Sequence, residues 1–116
     1  MNHSTWPLME QLKADLLAAM KARENVRVMT LRTMISALDN ASAVEVDTSF
    51  VPMEGRTPDV PRRELSEDEQ FELLRGEAIQ RRHALQQYED LGKVSEAARL
   101  RAELEVFAEY LDDGAS

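Results

Sequence analysis

The 116-residue chain contains no cysteine, which excludes disulfides, thiolate nucleophiles and cysteine-ligated zinc and suits a reducing cytoplasm. Aromatic residues make up only 5% and there is a single tryptophan, as in a chain built from helix formers. Glycine and proline number four each, and Gly55, Gly76, Gly92 and Gly114 stand apart, so neither a glycine-rich phosphate loop nor a dinucleotide fingerprint can form. No apolar run approaches the ~20 residues of a membrane span, and no basic stretch leads into an apolar one at the N-terminus. A cytoplasmic protein with no membrane partner is expected. The two histidines, His3 and His83, are far apart and neither has a histidine or carboxylate at i±3 or i±4 that would favour metal binding or base catalysis. No catalytic residue, metal site or cofactor follows from such a sequence, and an enzyme is not expected. Fourteen bases against 22 acids give a net charge of −8, which repels a phosphate backbone at long range. The charge is uneven, at +1 over residues 1–42, −1 over 43–63 and −8 over 64–116.

Alanine, leucine, glutamate, arginine and methionine are abundant instead, a composition of helix formers. Ser4, Thr5 and Pro7 offer a cap and a tolerated first-turn proline, after which Leu8, Leu12, Leu16, Ala19 and Met20 recur at helical spacing. This predicts a first helix over about 7–23 and a tight turn at Ala22 to Asn25. A second helix over about 25–40 carries Val28, Leu31, Met34, Ile35 and Leu38 on one stripe, with Val26, Met29, Thr33 and Ala37 roughly opposite. Apolar on both sides, it is expected to lie sandwiched at the centre of the core. Met9, Met20, Met29 and Met34 are read as packing residues in preference to a partner groove.

Residues 43–64 contain three prolines and a glycine, which forbid one continuous helix. Fully extended, a segment of this length could reach roughly 70 Å. It can wrap round the body, with Phe50, Val51, Met53 and Val60 as docking residues, and is read as a passive irregular strap in preference to a functional lid.

Ser66 and Glu69 then form the S-x-x-E pattern of a capping box, opening a third helix over about 66–90 that Gly92 terminates. A fourth, over about 95–111, has Ala97, Leu100, Leu104, Phe107, Ala108 and Leu111 as its stripe, with Arg99/Glu103 and Arg101/Glu105 as supporting i,i+4 pairs. The expected fold is therefore all-α, two antiparallel helical hairpins of four helices joined by a long irregular loop. Gly76 inside the third helix costs roughly 1 kcal/mol relative to alanine, and a close helix crossing is expected there.

The third helix also holds Arg75, Arg81 and Arg82. Measured from the direction of Phe71, Leu74, Ala78 and Leu85, Arg81 and Arg82 flank the apolar stripe while His83 faces water. In a structural role their stems pack on apolar neighbours and their guanidinium groups meet acids such as Glu77 or Glu89. In a functional role Arg62, Arg63, Arg75, Arg81 and Arg82 form a row for an RNA backbone. Arg23, Arg27 and Arg32 form a second basic edge on the first hairpin.

Two stretches, "LMEQLKADLLAAMKARENVRVMTLRTMISALDNA" and "ELSEDEQFELLRGEAIQRRHALQQYEDLGKVSEAARLRAELEVFAEYL", carry a wider pattern. With Thr30-Leu31-Arg32, Arg81-Arg82, Tyr88, Gly92 and the Glu103-Leu104 to Tyr110-Leu111 ending, the sequence resembles the N-terminal helical half of the bacterial YqeY-like family, within the GatB/YqeY superfamily. Members of that family usually continue past a Tyr-Leu-Pro into a smaller helical domain implicated in touching tRNA. Here Leu111 is followed by Asp112-Asp113-Gly114-Ala115-Ser116, so that tail domain is expected to be absent. The resemblance implies a link to glutamine-dependent amidation of aminoacyl-tRNA, whose chemistry belongs to another domain.

Two functional expectations result. One is a non-catalytic helical interaction module, binding a protein partner or its own copy through apolar residues outside the core stripe, Val106 and Tyr110 among them. The other is a tRNA-binding accessory that uses the arginines above. An independent enzyme would have only His83, Arg81, Arg82 and Glu77 from which to assemble a site.

Overall fold

The structure, a computed structural model, describes residues 7–42 and 64–111. Four helices follow one another: α1 (Leu8–Ala22), α2 (Asn25–Ser42), α3 (Glu67–Asp90) and α4 (Val94–Leu111). Among the described residues there is no strand. α1 pairs with α2 and α3 with α4, and α2 joins the two hairpins by packing against both α3 and α4. The expected architecture is the one observed. The proposed strap and its docking residues lie outside the described residues.

Both hairpin turns are built on the same backbone device. At the end of α3, Gly92 adopts φ +72°, Lys93 N–H donates to Tyr88 O (2.9 Å) and Gly92 N–H to Glu89 O (3.1 Å). This is a Schellman turn, which satisfies carbonyls that the helix end would otherwise orphan. At the end of α1, Glu24 N–H donates to Ala19 O (3.0 Å) and Arg23 N–H to Met20 O (3.1 Å), yet the left-handed residue is Arg23, at φ 59°. A β-carbon makes that conformation unfavourable, so the first turn is formed at a cost that the second avoids.

The helix starts differ too. Ser66 accepts from Glu69 N–H (3.1 Å) while Glu69 Oε1 accepts from Ser66 N–H (2.9 Å), the full capping box. α1 has no side-chain cap of its own from Pro7. Leu8 N–H instead donates to Glu67 Oε2 at 2.9 Å, so one carboxylate in the first turn of α3 also serves the positive end of α1. The candidate cap residues Ser4 and Thr5 lie outside the described residues.

The core consists of Leu8, Leu12 and Ala19 of α1, Val28, Leu31, Met34 and Leu38 of α2, Leu74 and Ala78 of α3, and Val106, Phe107, Tyr110 and Leu111 of α4. Several sequence expectations need correction. Val26, Met29 and Thr33, the second side of α2, are exposed, as is Met20. α2 is central because its main stripe is shared by three helices, and its back faces water. On α4, Ala108 is exposed while Val106 and Tyr110 are buried, because α4 packs on α3 with one side and on α2 with the next. Gly76 is exposed, and a β-carbon built there meets nothing within 4 Å, so no helix of the described chain crosses it.

Exchanging the two turn residues tests the backbone reading. Arg23→Gly should raise the unfolding free energy by about 1 kcal/mol, and Gly92→Arg should lower it by at least as much. Urea denaturation followed by helical circular dichroism measures both; equal and negligible changes would contradict the left-handed geometry.

Candidate functional site

The arginines that the sequence groups together are separated by the fold. Arg81 turns inward, its Nη1 donating to Glu77 Oε1 (2.8 Å) and Glu77 O (3.2 Å), and its Nε to Glu103 Oε1 (3.2 Å). The guanidinium carbon stands 4.9 Å from the centre of the Phe107 ring, which is almost wholly buried. Arg81 thus closes the end of the core between α3 and α4 by cation–π contact and two charge-assisted bonds. Glu103 takes Arg99 as well, at 3.5 Å, as the i,i+4 spacing predicts. Arg101 does not pair with Glu105 as expected; it reaches across the hairpin to Glu89 at 2.7 Å.

Arg82 is exposed and has no ion pair among the described residues, while Arg75 meets Glu72 at 3.6 Å. Arg62 and Arg63 lie outside the described residues. His83 is exposed, and Glu77, the carboxylate an enzymatic reading would assign to it, is held by Arg81. The second basic edge also disperses: Arg23 occupies the turn, Arg32 is exposed, and Arg27 is bound to Glu109 through both terminal nitrogens, one at 2.8 Å. The Glu109 hydrogen bond raises the Arg27 pKa above its already high value. Among the described residues no group of three or more histidines, aspartates and glutamates could hold a metal, and no helix is long and apolar enough to cross a membrane.

Val106 and Tyr110 are not exposed as a partner surface would require: they are 5% and 8% accessible. The Tyr110 hydroxyl donates to the carboxylate of Asp15 on α1, a tie between the two hairpins. Burial, followed by the Asp15 hydrogen bond and its negative charge, pushes the Tyr110 pKa far above the usual phenol value. The missed signal was the contiguous arc Val106, Phe107, Tyr110 and Leu111, too wide for one contact stripe.

What stands open next to Val106 is a groove between α2 and α4 that the sequence reading did not anticipate. It has a volume of about 350 Å³ and is lined by Glu24, Asn25, Val26, Arg27, Ala102 and Val106. Val26 is 39% accessible and Met29, one turn along, is 52% accessible. Arg99 Nη2 lies 3.9 Å from Met29 Sδ, which places that arginine beside the exposed methionine. Buried Val106 and half-buried Ala102 thus line a shallow depression beside exposed Val26, with Met29 exposed one turn further along α2. A second shallow groove, between the end of α2 and the start of α3, is lined by Ala41, Leu65, Asp68, Glu69, Glu72 and Leu73.

With the geometry in place, comparison with protein families is decisive on kinship: the model of the family described as "Yqey-like protein" matches residues 9–115. The chain belongs to the YqeY-like family. No curated protein matches it significantly. In this YqeY-like chain the described arginines do not converge on one point. Arg81 is engaged by Glu77, Glu103 and the Phe107 ring, while Arg82 stands exposed.

Two measurements follow from these contacts. Arg81→Ala should cost about 1–3 kcal/mol of stability, because it strips the cover from Phe107 and leaves Glu77 and Glu103 without their shared cation; Arg82→Ala should leave the denaturation midpoint unchanged. For Tyr110 the folded pKa lies above the unfolded value near 10. The neutral phenol therefore stabilises the fold fully below about pH 10, and that contribution falls as pH rises through the folded value. The wild type should lose stability between pH 9 and about 11 more steeply than Tyr110→Phe, as urea titrations at each pH would reveal.

Proposed function

We propose that the chain is a non-catalytic helical interaction module that docks a protein partner over the α2–α4 groove. The observation that carries this reading is the exposure of Val26 and Met29 beside the apolar floor formed by Ala102 and Val106. α2 is held rigidly from behind, since Leu31, Met34 and Leu38 are buried on its other side. A docking partner would therefore find the groove walls already formed and lose little conformational freedom of its host. Charged residues border the depression, with the Arg27–Glu109 pair at one end and Arg99 at the other, an apolar centre with a polar rim.

The second reading, a tRNA-associated accessory in amide-transfer aminoacylation, is supported by exposed Arg82 and half-buried Arg75 on α3. It is weakened by the engagement of Arg81 with Glu77 and Glu103 and by the net charge of −8. Binding of bulk tRNA at low salt, where phosphate contacts are strongest, separates the two; no detectable binding would remove it.

For the groove, a photo-crosslinking amino acid placed at Met29 in the native host should give one discrete protein adduct, lost when Val26→Asp is added. The same adduct from a crosslinker at exposed Lys21, or none at all, would overturn the assignment.

A further inference from the structure

α3 has a second face that the fold does not use. Starting from Leu74 as the core direction, the 100° step per residue places Glu72, Gly76, Ile79, His83 and Gln86 along the side that points away from the body. Their spacing alternates four and three residues, that of a seam along which a second helix can lie. Three independent observations set this face apart. Gly76 stands in a helix interior, where glycine is unfavourable, and nothing among the described residues approaches it, so the four helices supply no close crossing that would account for it. Ile79, one turn on, is 47% accessible although the residues round it are polar or charged. On one flank of the same seam, Arg82 has no ion pair among the described residues and Arg75 has only the 3.6 Å contact with Glu72.

We propose that this outer face of α3 docks an acidic amphipathic helix of a partner protein, crossing closely over Gly76, with an apolar side chain against Ile79 and carboxylates on Arg75 and Arg82. The missing β-carbon at Gly76 lets another backbone come near, as small residues do at close helix crossings. Arginine's planar fork suits carboxylates, and two of them one heptad apart would fix the partner's register. An RNA strand fits this surface less well. The centre of the seam is an exposed isoleucine, whose apolar contact a phosphate backbone does not use. The site is distinct from the α2–α4 groove and stands or falls separately.

The test uses the full chain and a synthetic amphipathic helix with leucines at heptad spacing and glutamates on its flanks, followed by fluorescence anisotropy. A lysine-flanked version and a short RNA duplex serve as competing probes. The acidic peptide should bind, and Ile79→Asp, Arg82→Glu and Gly76→Leu should each weaken it by about tenfold or more. Val26→Asp should leave it bound. Gly76→Ala should raise the thermal midpoint, since alanine is the better helix former at an exposed position, which separates the docking role of Gly76 from a folding role. Equal affinity for the lysine-flanked peptide would overturn the proposal. So would binding that Val26→Asp abolishes, or RNA binding that Arg82→Glu removes and Ile79→Asp does not.

Discussion

The whole arrangement depends on α4 being apolar over a wide arc. Phe107 faces α3 and is sealed by Arg81, while Val106 and Tyr110 turn towards the first hairpin. An α-helix with one stripe could complete its own hairpin and no more. The broader arc makes α4 the second wall of a core whose first wall is α2, and two hairpins far apart in sequence become one body. The Tyr110–Asp15 bond spans 95 residues, Arg27–Glu109 spans 82 and Leu8–Glu67 spans 59. Apolar burial supplies the attraction there, and these polar contacts set the orientation that it cannot.

Those three contacts share a pattern. Each pairs a residue of the first hairpin with a carboxylate or a carboxylate's partner at a helix end or on a half-buried rim, where a missing partner would leave a polar group short of both water and protein. The strongly acidic second half of the chain is thus partly consumed in orienting the near-neutral first half. Glu67 does so at the start of α1, and Glu109 does so at the start of α2. Glu77 and Glu103 are spent within the second hairpin on Arg81. A surface count of −8 therefore overstates the acid available to an outside ligand.

Much of the fold was legible in local patterns. Periodicity located four helices, Ser66 with Glu69 marked the start of α3, and Gly92 marked its end, because caps and left-handed turns are decided by neighbouring residues. The α1–α2 turn was placed correctly without a glycine signal, since Arg23 takes the conformation that Gly92 takes in the other hairpin. Which arc of a helix is buried was less legible. Helical spacing assigned Val106 and Tyr110 to the outside and Val26 and Met29 to the inside, and the fold reverses both pairs. That choice depends on how many neighbours a helix has, a property of tertiary packing that no single helix encodes. The candidate site shared that fate: flanking positions on the wheel made Arg81 and Arg82 equivalents, and only the presence of Phe107 across the interface draws one in.

Leu17, Met20, Leu91 and Val94 are exposed near the helix ends or on the outside of α1, and a further set breaks local rules on α2 and α3. Valine and methionine are exposed on α2, as isoleucine is on α3, and a glycine interrupts a helix where nothing among the described residues approaches. In a chain otherwise consistent from propensity to core, such local violations mark where function acts on a sequence. Both locations offer an exposed apolar side chain bordered by charge on a helix whose other side is buried. A surface of that kind recognises another protein through shape and desolvation, with the charges choosing among partners.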